Sequence, residues 1–387
     1  MKKKFFSALL CIAMAMTMLV GCGSKQAAES PDDTKTAAET TKDAPAEKAA
    51  EAEPADTDVK PSGDDITVTF VPKLSGNAFF ESANVGAQEY AAKIGKYTVK
   101  YDGNPEASVA NQVAIINNAI SQGANAVCVS SVDAKGLDEA MKKAQAAGLA
   151  VVTWDSDVGN DARSLMVSQG TPEQLGKMLV DMAAEGMEDP NAKDVTYCWH
   201  YSQATVADQN SWQVAGEAYI KEKYPNWTNV APDNYYSEQD AEKAISVGES
   251  ILTAHPDITA IICNDSTALP GQAQAAQNLG LTSKDVVITG FAAPNSMKDY
   301  CRAGILERWG LWDCKVQGAM GCYLAYWLAA GNTFKVGDKI DIPDIGTVEV
   351  MPNTVLDPKA YTAEDSGVVL LPERTVFDIS NMDNYNF

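Results

Sequence analysis

From residue 66 to residue 154 the sequence alternates between short apolar runs rich in β-branched residues and longer helical stretches, and this alternation restricts the fold more than any other feature. Runs at 66–71 (ITVTFV), 97–101, 126–130 and 149–154 read as strands, with helices at 78–94, 106–122 and 136–147 between them. Strands separated by helices pair in parallel, in a sheet covered by helices on both faces. Gly95, Gly123 and Gly148 stand where these helices need a C-terminal cap. After a linking segment, 155–164 (DSDVGNDARS), the pattern restarts with strands at 164–168, 194–200, 229–236, 258–263 and 286–291 and helices at 172–186, 206–223, 238–254 and 267–279. The expectation is a second α/β domain. A helix at 294–302, a strand at 304–309 and a helix at 313–330 follow; the last contains AMGCYLAYWLAAG, too short a run for a bilayer of about 30 Å, and is expected to pack on the first domain.

The N-terminus reads as an address. Residues 2–4 are lysines, 5–20 are almost wholly apolar, and Leu19-Val20-Gly21-Cys22 has the form of a bacterial lipobox. Residues 1–22 are therefore expected to be a lipoprotein signal with lipid on Cys22, which places the rest outside the cytoplasm on the outer face of a membrane. Residues 23–65 are Ala, Glu, Asp, Thr, Lys and Pro with no large apolar residue before Val59, the composition of a disordered acidic tether. Six cysteines remain beyond Cys22; Cys128, Cys198 and Cys263 lie in apolar runs as small hydrophobes, and Cys301, Cys314 and Cys322 leave room for one disulfide.

Charge removes several functions. Lys and Arg number 30 against 52 Asp and Glu, a formal charge of −22 that repels nucleic-acid backbones, so no nucleic-acid partner is expected. Only His200 and His255 are present, too few for most zinc sites or Ser-His and Cys-His nucleophiles. No phosphate-binding loop, nucleophile elbow or dinucleotide fingerprint follows a strand. The DSD at 155–157 has the form of a DxD metal motif without a nucleotide-sugar site beside it. The reading is a binding protein rather than an enzyme, without cofactor or metal.

Ligands of open parallel sheets bind beyond the carboxyl ends of the strands. Those positions carry Lys73, Asp155 and Asp157, then His200, Ser202, Asn264 and Asp265. Carboxylates, amides and one lysine suit a neutral polyol, because a carboxylate accepts strongly from hydroxyls. Phe79, Phe80, Trp154 and Trp312 would wall the C–H faces of a sugar. Phe79 and Phe80 open a helix, so one of them also suits the core, and Trp154 and Trp312 suit domain packing equally well.

The segments FVPKLSGNAFF, YDGNPEASVANQVAIINNAI, TWDSD, QGTPEQLGKMLVDMAA, TVADQNSW, ALPGQAQAAQNLG, GFAAPNSM, GLWDCKVQG and LLPERTVFDISNMDNYNF together resemble the Lsr-type autoinducer-2 binding proteins of ABC transporters. These belong to the type I periplasmic sugar-binding proteins, and the likeness runs over residues 66–387. It implies two doubly wound parallel-sheet lobes joined by a three-segment hinge, with 66–156 and 292–330 in the N-terminal lobe and 157–291 and 331–387 in the C-terminal lobe. Crossings are expected near 155–159, 291–294 and 331–338. It further implies a monomer that closes on cyclic, tetrahydroxy autoinducer-2 or a similar sugar and is recognised by ABC permease subunits. Rhamnose or ribose is the alternative ligand, and a sensor protein the alternative partner. Carried over residue by residue, the ligand contacts are Lys73, Asp155, Asp208 with Gln209, and Pro270, and Asp265 matches an aspartate of the sugar-binding relatives. Gln272 departs from the family's alanine; a contact through its backbone N–H survives the change, whereas a side chain reaching in would re-tune the pocket.

Overall fold

The computed structural model describes residues 66–362 and 367–387. The expected signal, the lipidated Cys22 and the tether at 23–65 lie outside the described residues. The first half of the chain forms β1 (Ile66–Val71), α1 (Ala78–Ile94), β2 (Tyr97–Tyr101), α2 (Val109–Ser121), β3 (Ala126–Val129), α3 (Asp138–Ala146), β4 (Ala150–Trp154) and β5 (Leu165–Ser168). Then come α4 (Pro172–Glu185), β6 (Thr196–Tyr201), α5 (Ala207–Lys223), β7 (Thr228–Asn229), β8 (Tyr235–Tyr236), α6 (Ala241–Ala254), β9 (Ala260–Cys263), α7 (Ala268–Asn278) and β10 (Val287–Gly290). The chain ends with α8 (Pro294–Arg302), β11 (Arg308–Leu311), α9 (Cys314–Ala329), β12 (Lys339–Ile342), β13 (Gly346–Glu349), β14 (Val368–Leu370) and β15 (Thr375–Asp378).

Successive strand side chains point to opposite faces, and in the first sheet both faces are apolar. Val68, Phe70, Cys128, Val152 and Trp154 pack with α1 and α9 on one face, while Val71, Val127, Val129 and Val151 pack with α2 and α3 on the other. The strands are parallel in the order β14-β5-β4-β3-β1-β2, which puts the reversal of strand order between β1 and β3. The second sheet runs β10-β9-β6-β7, also parallel, with β8 on β6. Helix α9 joins the first half as expected, and it comes close to α1 because both surfaces carry glycine. A Cβ on Gly86 would collide with the Lys315 carbonyl, and one on Gly318 with that of Ala83.

Several expectations are corrected. The strand at 164–168 does not begin the second domain: β5 pairs with β4, and β14, some two hundred residues later in sequence, pairs with β5. The segment before β5 turns back because the Arg163 guanidinium is held by Asp157 at 2.7 Å and donates to the Gly367 carbonyl and to Asn353. Helix α8 packs on α7, and β11 lies beside the end of β10 through a Phe291–Gly310 bridge, so both belong to the second half rather than the first. The chain therefore passes between the sheets at 169–171, 312–313 and 371–374. The expected strand at 229–236 is two short pieces, because Pro232 lacks an N–H and Asn234 is left-handed, with φ of 59°. The strand expected at 304–309 begins at Arg308, since Gly304, with φ of 72°, ends α8 in a turn. All six described cysteines are free, including Cys301, Cys314 and Cys322.

Gly318→Ala should destabilise the protein by about 1–3 kcal/mol, the usual cost of overpacking a tight contact. Urea unfolding measures this, and an unchanged midpoint would mean that α1 and α9 do not need their close approach.

Candidate functional site

The carboxyl ends of the two sheets face each other, and the first half brings the cation. Lys73 follows β1, and its Nζ lies 3.0 Å from Asp155 Oδ2 and 3.9 Å from Asp208 Oδ1, all three side chains being buried or nearly so. Asp155 follows β4 and is left-handed, with φ of 59°, a conformation rare for a residue other than glycine. Its Oδ2 also accepts from the Ser130 hydroxyl at 2.7 Å, at the end of β3. Lys73, Ser130 and Asp155 thus meet where the strand order reverses, the place where parallel sheets open a crevice.

From the second half, Asp208 occupies the first turn of α5 and accepts from the Ser156 hydroxyl, a bond across the two halves. Gln209 accepts at Oε1 from the Ser202 backbone N–H and hydroxyl, which leaves its Nε2 to donate to Asp265 Oδ2 at 3.1 Å. Asp265 Oδ1 accepts from the backbone N–H groups of Thr267 and Ala268, at the start of α7. Asn77 bridges the halves again, donating to Thr267 at 3.2 Å and accepting from Ser266 at 3.4 Å.

These groups surround a tight cavity of about 20 Å³, well below the roughly 300–1,000 Å³ usual for small-molecule sites. Its lining includes Lys73, Asp155, Gln209 and Asp265, as the strand ends and the resemblance led one to expect, and the aromatic rings of Phe79, Phe80 and Trp312. Asp208 stands behind the lining, on Lys73 and Ser156. Three expected residues are elsewhere. Trp154 is fully buried behind Phe79, its ring stacked 4.6 Å from Phe70 and 6.0 Å from Phe79. Pro270 and Gln272 lie within α7 and do not line the cavity. The Gln272 side chain turns away from the cavity, its Oε1 meeting His200 Nδ1 of β6 at 3.0 Å and its Nε2 donating to the Gly248 carbonyl of α6. A side chain so held leaves the pocket's shape alone. Asp157, the other half of the DSD motif, is taken up by Arg163 and the Thr153 hydroxyl, and His255 by the Tyr235 hydroxyl.

Asn264, a strand-end candidate, lines the cavity too, and the cavity has walls that sequence reasoning did not assign to it: Trp212, Gln239, Ser266, Phe291 and Leu311. Trp212, Phe291 and Trp312 form a cluster of edge-to-face rings 5.5–5.9 Å apart. Gln239 is left-handed, with φ of 59°, and 6% exposed, and its Nε2 has no partner among the described residues; the same holds for Asn264 Oδ1. A buried, unpaired donor and acceptor at one cavity cost free energy until a ligand meets them. The signal for Gln239 was its place just before α6, where Ser-Glu-Gln-Asp (237–240) forms an irregular entry to the helix.

Electrostatics set the chemistry. Burial alone would lower the Lys73 pKa, but Asp155 and Asp208 outweigh it and hold the ammonium above its ordinary value. Burial pushes Asp208 up to about 6, against the pull of Lys73 and with the help of the Asp155 charge. Burial likewise raises Asp265, opposed by the α7 backbone N–H groups. His200 is depressed to about 4 by burial and is neutral at pH 7. One ammonium among three buried carboxylates offers more acceptors than donors, which favours a ligand with several hydroxyls and disfavours a phosphate or carboxylate. Among the described residues no His, Cys, Asp and Glu cluster could hold a metal ion, and no helix is long and apolar enough to cross a membrane.

Comparison with known proteins places this geometry. A family model described as periplasmic binding protein domain matches residues 68–333. The structure of LsrB from Clostridium saccharobutylicum in complex with AI-2 is similar with a TM-score of 0.81 and 67% sequence identity, over 83% of this chain and 100% of that one. A solute-binding protein from Clostridium phytofermentas with bound L-rhamnose shares the fold, with a TM-score of 0.74 at 22% identity, over 83% of this chain and 98% of that one. The ribose import binding protein RbsB of Escherichia coli K12 is 27% identical over 230 residues, 58% of this chain and 72% of that protein.

The raised Asp208 has a thermodynamic consequence. Its folded pKa of about 6 stands above the roughly 3.9 of an unfolded aspartate, so the folded protein binds more protons between those values. The stability from this group is therefore present at low pH and is lost as pH rises through about 6. Measured as urea midpoints in the absence of ligand, Asp208→Asn should gain on the wild type between pH 4.5 and pH 7. A difference that does not change with pH would remove Asp208 as the group that titrates there.

Proposed function

This chain belongs to the periplasmic binding protein domain family and, within it, to the group that contains LsrB, and we propose on that premise that it is the extracytoplasmic substrate-binding protein of an ABC importer for autoinducer-2. The observation that carries the ligand is the 67% identity to LsrB in complex with AI-2 along the whole length of that structure. In this reading the ligand is the cyclic tetrahydroxy form. Lys73 donates to a ring or hydroxyl oxygen, Asp155 and Asp265 accept from hydroxyls, and Gln209, Gln239 and Asn264 complete the polar set. Asp208 acts through Lys73 and Ser156. Phe79, Phe80, Trp212, Phe291 and Trp312 cover the carbon skeleton, as aromatic faces do for sugars.

Binding couples to shape because the contacts come from both halves: a ligand that touches Lys73 and Gln209 together favours the closed arrangement over any open one. The crossovers at 169–171, 312–313 and 371–374 are the hinge. The closed form is what the permease recognises, and no covalent step on the ligand is needed. Lipid on Cys22 with 23–65 as a leash would keep a monomeric binder beside its permease.

A thermal-shift series with autoinducer-2, L-rhamnose and D-ribose tests the ligand. Autoinducer-2 at about 100 times its dissociation constant should add roughly 2.7 kcal/mol of stability. A shift with one of the sugars and none with autoinducer-2 would transfer the function to import of that sugar, the reading the ribose-binding relatives suggest. Asp155→Ala should weaken binding by at least roughly tenfold, the worth of a charge-assisted hydrogen bond, while circular dichroism stays native. Unchanged affinity would take Asp155 out of the site.

A further inference from the structure

The three crossovers share one hydrogen-bonded line. At 312–313 the Trp312 indole Nε1 donates to Gln317 Oε1 at 2.6 Å. Gln317, at the start of α9, donates from Nε2 to Gln169 Oε1 at 3.0 Å and to the Val167 carbonyl at 3.3 Å. Gln169, in the first crossover, donates from Nε2 to the Asp155 carbonyl at 3.2 Å, with Asp208 Oδ2 at 3.5 Å. From the third crossover, Arg374 donates to the Gln169 carbonyl at 2.8 Å and to that of Leu371 at 3.3 Å. Gln169 and Gln317 are 1% and 0% exposed, so water does not compete for these bonds.

The direction of the line is fixed by chemistry. An indole N–H can only donate, so the Gln317 atom facing it must be the oxygen. The Gln317 nitrogen must then face Gln169, whose own oxygen accepts, and the Gln169 nitrogen is left for Asp155 and Asp208. Asp155 needs such support. Its left-handed backbone is a sparsely populated state that persists only where neighbours hold it. Its N–H donates to the Val167 carbonyl at 3.2 Å, the same carbonyl that Gln317 reaches, and its own carbonyl is held by Gln169.

We propose that Gln169 and Gln317 are positioning residues for the ligand site: one directed relay, starting at the donor-only Trp312 and passing through both amides, holds Asp155 in its left-handed pose and ties that pose to all three crossovers. This rests on the reading of the cavity as a ligand site. Neither glutamine lines the cavity, so the relay sets affinity through the placement of Asp155 and through the arrangement of the crossovers, without touching ligand.

The test uses the full chain with Gln169→Met, Gln317→Met and the double variant, volume-matched changes that remove the amides. Calorimetry with autoinducer-2 should give a roughly tenfold loss of affinity for each single variant, the scale of one buried hydrogen bond. The double variant should lose no more than Gln169→Met, since both changes cut the same line. In the ligand-free protein, amide exchange at Asp155 and Ser156 should rise about tenfold on the same reasoning while β1 and β3 keep their protection. Losses that add in the double variant, unchanged exchange at 155–156, or a fall in melting temperature with affinity and exchange unaltered would each overturn the proposal. If the wild type itself fails to bind autoinducer-2, the ligand reading falls, and the exchange measurement still decides the relay.

Discussion

The structure depends on one buried ammonium. Lys73 lies among Asp155, Asp208 and Asp265, and without it three carboxylates would share a site from which water is largely excluded. Removing charge from water is expensive, and the mutual attraction of a pair offsets it only when the remaining lone pairs are also met. Here they are met one by one. Ser130 serves Asp155, Ser156 serves Asp208, and Gln209 with two backbone N–H groups serves Asp265. The excess of acceptors is thus built in rather than accidental, and it selects for a molecule that arrives with hydroxyl hydrogens and without negative charge.

Parallel-sheet geometry explains why part of this site could be read from sequence. A residue just past a buried strand has little freedom in where it goes, so Lys73, Asp155 and Asp265 were legible from the apolar runs that precede them. Gln209 and Asp208 came from family likeness, because a helix start alone does not say which turn faces a cleft. Gln239 was missed by both approaches. It reaches the cavity from an irregular turn in which Glu238 and Gln239 are both left-handed, with φ of 53° and 59°, and neither residue type announces that conformation. Gln272 shows the opposite error. It is only a few residues beyond the cavity-lining Ser266, but the period of a helix turns its side chain toward His200 and α6.

The same physics limited the reading of the halves. An apolar run such as that of β5 says that a strand is buried on both faces, and carries no mark of the sheet to which it belongs. Its neighbours are β4, nearby in sequence, and β14, which no local pattern could connect to it. What decides the matter is Arg163, whose guanidinium holds the linking segment against Asp157, Asn353 and the Gly367 carbonyl and so brings the chain back to the first sheet. The crossovers consequently fall after β5, after β11 and after β14, and there they lie close enough for Gln169, Gln317 and Arg374 to join them.

That convergence bears on how ligand and shape are linked. In the closed arrangement the halves already hold each other through Asn77 with Thr267, Ser156 with Asp208, and Ala134 with the Thr205 carbonyl at 3.1 Å. These are a few polar contacts, worth about 0.5–1.5 kcal/mol each against water and somewhat more for the one to the Asp208 carboxylate. A ligand changes the balance only by the difference between what it gains in the closed form and in the open one. Contacts confined to one half contribute to both forms and shift nothing. The cavity divides its polar groups between the halves, with Lys73 and Asp155 on one and Gln209, Gln239, Asn264 and Asp265 on the other, so most of what a small polyol gains here is gained only when the two meet. A site built this way converts modest hydrogen bonds into a change of shape, because no one half presents enough of them to hold the ligand alone.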